Sequence, residues 1–227
     1  MANRNQSQYF DTEKPHVIVC EGIDDKNFLN QYLQHLSKVG NLDCNKFNIL
    51  EMGGVDNLLA GIKNFKNYEN YEEMKIFLFI RDADTNAVGA VDSLRDKIDE
   101  IWNIKLDRLG NFAEDADGKF FGFFIFPGLN ESGKYKEGAL EDLCSEIFSP
   151  LKVENICPLV DEHLQKVEQI TGEKFRALHK NRLHLLFAST DKFVGDKIGE
   201  AAKKNAFNFS SEKLKAFKER ILQMSNF

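Results

Sequence analysis

Carboxylates recur in this sequence where apolar runs stop. Asp82 and Asp84 follow the run IFLFI (76–80), and Glu21-Gly22 follows VIVC (17–20). Gly53 and Gly54 follow KFNILEM (46–52), and Glu141 lies beyond a fourth run, KFFGFFIFP (119–127). A lone Asp at a strand end commonly just caps the next helix, so the chemistry rests on the recurrence. Two carboxylates 4 Å apart at an effective dielectric near 20 repel by about 4 kcal/mol. Such a group takes up protons or binds a cation. Oxygen ligands without His or Cys suit Mg²⁺ or Mn²⁺ rather than zinc. A divalent cation held in this way typically handles phosphate, and glycines beside the acids let backbone come close to it.

The positions of these acids depend on the elements before them. The four apolar runs read as buried strands. Between them lie helical patterns. Phe28, Leu29, Tyr32, Leu33 and Leu36 share one face, as do Leu58, Leu59 and Ile62, and then Val91, Leu94, Ile98, Ile101 and Trp102. The alternation predicts an α/β fold: a mainly parallel four-stranded sheet with helices on both faces. In open sheets of this kind ligands bind at the carboxyl ends of the strands, where the acids and glycines fall. After Pro127 the pattern turns helical, at about 139–148, 158–171, 174–189, 192–205 and 211–224. The expected organisation is an α/β core over 14–130 and a helical C-terminal extension over 131–227 packed on it. The phenylalanines of FFGFFIF are expected to fill the core.

The net charge of −6 argues against nonspecific nucleic-acid binding by the whole surface. The charge is uneven, however. Residues 174–220 hold 12 Lys+Arg against 5 Asp+Glu, a balance of +7, and the rest carries 18 against 31, or −13. An acidic part with one task and a basic part with another is expected. No apolar stretch reaches the ~20 residues that span a bilayer. The first ten residues carry no apolar h-region, so no secretory signal is expected. Cys20, Cys44, Cys144 and Cys157 form no CxxC pair, which points to a reducing, cytoplasmic setting without zinc or disulfides. His179 and His184 are five apart rather than four and are not proposed as ligands.

The motifs VIVCEGIDDKNFL (17–29), ILEMGG (49–54) and IFLFIRDADTN (76–86) resemble the Toprim domain of topoisomerases, primases and the overcoming-lysogenization-defect (OLD) nucleases. In that family a strand ends in Glu-Gly, a glycine-bearing strand-turn follows, and a later strand ends in Asp-x-Asp. Asp24-Asp25 after the Glu-Gly and GALEDLC (138–144) resemble the uncharacterised Toprim-like branch related to OLD nucleases. The tail resembles the helical end of that branch more loosely. The resemblance implies Glu21 as general acid/base and metal ligand, Asp82 and Asp84 as metal ligands, and Glu141 as a further ligand. The cofactor would be Mg²⁺ or Mn²⁺, and the activity would be nuclease cleavage of DNA or RNA. Thr85 and Asn86 stand where the family often has further acids or glycines. Such sequences usually accompany an ATPase, here to be supplied in trans if at all.

Around these residues Gly22, Asp25, Gly53 and Gly54 are candidate phosphate or substrate contacts. So are Lys134 and Lys136, just before Glu141, and Lys180 and Arg182 in the basic segment. Three other readings compete. Asp82-Ala83-Asp84 also resembles the first motif of haloacid dehalogenase-type phosphatases, but Asn86 stands where that motif wants Thr or Val. A receiver-like reading finds no Thr or Ser and Lys continuation after the fourth strand. A non-catalytic Toprim-like module that binds a nucleotide or partner is the main alternative to an enzyme.

Overall fold

The computed structural model describes residues 9–150 and 153–227. Its sheet has five strands in spatial order β2-β1-β3-β5-β4: β1 (His16–Cys20), β2 (Phe47–Glu51), β3 (Ile76–Asp82), β4 (Ala113–Glu114) and β5 (Phe120–Phe126). β1, β2, β3 and β5 are parallel, and only β4 runs antiparallel, to β5. The expectation of four strands missed β4. It exists because residues 115–118 turn tightly: Asp115 Oδ1 accepts from the Lys119 amide at 2.8 Å, and Gly118 takes φ +78°. The turn folds Ala113–Glu114 back onto the start of β5.

Both faces of the sheet are buried, which is why its strands read as continuous apolar runs. Ile18, Leu78, Ile80, Phe124 and Phe126 point into one apolar cluster, and Val17, Val19, Phe77, Phe79, Phe123 and Ile125 into the other. The second cluster is closed by α2 (Val55–Ile62) and α3 (Ala87–Trp102). The first is closed by α1 (Ile23–Lys38) together with later helices: α4 (Leu140–Glu146), α5 (Val153–Thr171), α6 (Leu178–Ala188), α7 (Ile198–Lys203) and α8 (Lys215–Ser225). The helical extension and the sheet therefore share one core. Among the described residues no helix is long and apolar enough to cross a membrane.

The helices of the extension depart from the expected ranges, for local reasons. α5 begins before Pro158, which lies inside it. α6 starts at Leu178 rather than 174, because Glu168 Oε1 accepts from the Phe175 amide at 2.8 Å and holds the preceding loop out of the helix. α7 starts only at Ile198, because Gly195 takes φ +77°, which no helix tolerates. α8 is preceded by a 3-10 turn, Glu212–Leu214.

The chain leaves β1 toward β2 on one side and returns to β3 on the other. The carboxyl ends of β1 and β3 thus lie side by side where the strand order reverses, which is the usual ligand position in open α/β sheets. Register brings the ends together, with Val19 beside Phe79 and Asp82 beside Phe126.

Candidate functional site

Glu21 follows the last residue of β1. Its Oε1 accepts from the Asp82 amide at 3.2 Å and lies 3.5 Å from Arg81 Nε. Its backbone carbonyl accepts from the Gly54 amide at 2.8 Å, so the glycine turn after β2 pins the end of β1. Gly54 has φ +114°, a conformation that suits glycine there. Burial pushes the Glu21 carboxyl above its ordinary range; Arg81 and the Asp82 amide oppose the shift, and Asp84 adds to it.

Asp82 ends β3, and its Oδ1 accepts from the Leu140 amide at 2.9 Å, which fixes the start of α4 against the sheet. Burial first, then the nearby charges of Asp25, Glu141 and Glu21, push its carboxyl well up. Asp25 lies in the first turn of α1, with Oδ2 accepting from the Gly22 amide at 2.9 Å. Burial, again the largest cause, raises Asp25 to about 7; the Gly22 amide offsets part of this, and Glu21, Glu141 and Asp24 reinforce it. Glu141, in the first turn of α4, has Oε1 3.6 Å from Lys180 Nζ of α6.

Asp84 sits at the exposed rim in a left-handed conformation, φ +50°. Its backbone pairs with Gly138 in both directions, at 2.9 and 2.7 Å. Gly138 must be glycine: φ is +122°, and a Cβ would stand 2.6 Å from Asp142 Oδ2. That oxygen is already engaged, accepting from the Ala139 amide at 2.8 Å.

The fold therefore gathers Glu21, Asp25, Asp82 and Glu141 into one electrostatically coupled cluster, with Asp84 at its edge and Lys180 reaching in. Gly22 serves as a donor within it, and Gly53-Gly54 form the adjoining turn. Lys136 and Arg182 are turned to other partners, Glu146 at 3.1 Å and Asp161 at 2.8 Å. Lys134 lies on a hairpin beside the start of α3.

Arg81 is the member that sequence reasoning missed. Its Nη1 also donates to Ser93 Oγ at 2.7 Å, so α3 steadies it. The available signal was a lone cation between the apolar run of β3 and Asp82. Asp24, named in the sequence beside Asp25 but not as a ligand, has Oδ1 buried and lacking a hydrogen-bond partner among the described residues.

The donor set fits a hard divalent cation by chemistry, since every candidate ligand is a carboxylate. Among the described residues, no three His, Cys, Asp or Glu side chains stand in metal-ligating geometry. Glu21, Asp25, Asp82 and Glu141 each engage a neighbour of their own: Arg81, Gly22, Leu140 and Lys180.

A family model described as "Protein of unknown function (DUF3226)" matches residues 15–225. No curated protein and no solved structure matches the chain.

Proposed function

We propose that this chain, which belongs to the DUF3226 family, is a Toprim-like, Mg²⁺- or Mn²⁺-dependent phosphodiester hydrolase acting on DNA or RNA. One observation carries the reading. Glu21, Asp25, Asp82 and Glu141, from three separate strand-to-helix regions, lie near enough at the carboxyl edge of the sheet to act on one another, although burial disfavours the charged forms of Glu21, Asp25 and Asp82. A fold that needed only helix caps there has no reason to collect them.

In this reading Glu21, Asp82, Asp84 and Glu141 hold the cation. The bound cation supplies charge neutralisation at the phosphate and a more acidic water. Glu21 would take the proton of the attacking water as general base. Arg81 holds the Glu21 carboxylate in place. Lys180 exchanges its contact with Glu141 for a phosphate oxygen of the substrate. The basic tail provides backbone contacts to nucleic acid, and an ATPase partner would act in trans.

A second reading, a non-catalytic module that binds a nucleotide or partner, draws on a specific feature. Arg81 and Lys180 already balance two of the carboxylates without a metal. Two measurements separate the readings. Nuclease assays with Mg²⁺ or Mn²⁺ should show cleavage that Glu21→Gln and Asp82→Ala reduce at least about a hundredfold with circular dichroism unchanged. Cleavage that survives in both variants sinks the assignment. Calorimetric titration with Mn²⁺ should show binding that Asp82→Ala removes, whereas the binding module shows none.

A further inference from the structure

A cleft that the proposed chemistry does not use lies between α3 and the hairpin that precedes α4. It has a volume of 320 Å³, and its walls include Val88, Val91, Arg108, Leu109, Lys134 and Tyr135. One wall is the start of α3, which begins three residues after Asp84. The other is the hairpin closed by the Leu129–Tyr135 bridge, which leads directly to the Gly138 that pairs with Asp84. Both walls are therefore continuous in the chain with the Asp84–Gly138 pairing.

Two features distinguish it from a packing gap. Its walls are tied together: the Leu109 carbonyl accepts from Tyr135 Oη at 2.9 Å and from Arg220 Nη2 of α8 at 3.0 Å. Arg220 is itself buried and also donates to Asn111 Oδ1 at 2.9 Å. The cleft also leaves large apolar side chains in water, with Val88 60% and Leu109 38% exposed. The charged side chains on its walls are both cationic, in a chain whose net charge is −6. Arg108 reaches Asp92 at 3.5 Å but stays largely exposed, and Lys134 is exposed.

We propose that this cleft holds the nucleotide next to the scissile linkage, with the base between Val88, Leu109 and Tyr135 and a flanking phosphate at Lys134 and Arg108. The inference rests on the hydrolase reading and names a substrate subsite for it. An apolar slot accepts the flat face of any base, and cations at its mouth match the backbone. That combination selects a single-stranded or frayed segment, because a paired base offers no free face to the slot.

The test uses the full-length chain in EDTA, so that it does not depend on cleavage. 5′-dAMP is titrated while the methyl resonances of Val88 and Val91 are followed, with inorganic phosphate as the charge-only control. Saturable shifts with 5′-dAMP, absent with phosphate and weakened at least about tenfold in both Val88→Glu and Lys134→Glu, are the expected result. Both residues are exposed, and circular dichroism checks that the variants fold. Absent shifts, equal shifts with phosphate, or shifts that persist in both variants overturn the subsite. Failure of the hydrolase reading shows separately, as no cleavage with any divalent cation.

Discussion

At the residue scale the site is an arrangement of protons as much as of charges. Asp25 has an ordinary pKa of 3.8 and is raised to about 7 in the fold. Between those values the folded state holds a proton that the unfolded chain has released. Stability from this group is therefore full below about pH 4 and is lost as pH rises through about 7. Asp82 and Glu21 shift in the same direction. In chelator the melting temperature should fall between pH 5 and pH 8, by about 2–4 °C for each kcal/mol lost. Asp25→Asn should flatten that slope, and an unchanged slope would show that Asp25 is not buried as described. Glu21 and Asp82 were legible in the sequence because each closes an apolar run. Arg81 was not, because its contact with Glu21 depends on how β1 and β3 align. The contact of Lys180 with Glu141 was no more legible, since it depends on how α6 packs against α4.

At the element scale the start of α4 is the junction on which the site turns. Gly138 pairs with Asp84, Ala139 is capped by Asp142, and the Leu140 amide binds Asp82. Gly138→Ala meets both an unfavourable φ and a 2.6 Å approach to Asp142 Oδ2. It should cost about 1–3 kcal/mol in urea unfolding. Gly133 on the neighbouring hairpin has φ +74°, and a Cβ added there would meet nothing within 4 Å, so Gly133→Ala should cost less, about 1 kcal/mol. Equal costs would mean that the close approach is relieved cheaply. The apolar strands and the faces of α1 and α3 were legible because burial on one side leaves a period in the sequence. The starts of α6 and α7 were not. They follow from one side-chain bond, Glu168 to the Phe175 amide, and one left-handed glycine, Gly195.

At the scale of the whole molecule, the sheet edge and the helical extension are joined by the bond from the Leu140 amide to Asp82 and share one apolar cluster. Unfolding should therefore be a single transition, with calorimetric and van't Hoff enthalpies equal. Two separate transitions would show that the extension folds on its own. The alternation of strands and helices made the α/β architecture legible, whereas the side of the sheet that the extension covers was settled by packing. Phe217 of α8 rests on Phe124 and Phe126 of β5, with ring centroids 4.9 and 5.2 Å apart. At ribosomal speeds of about 5–20 residues per second, the ~90 residues between Phe126 and Phe217 take roughly 5–18 s to make. For that time the nascent chain carries a sheet face without its final cover, the kind of exposed apolar surface that makes incomplete chains prone to aggregate.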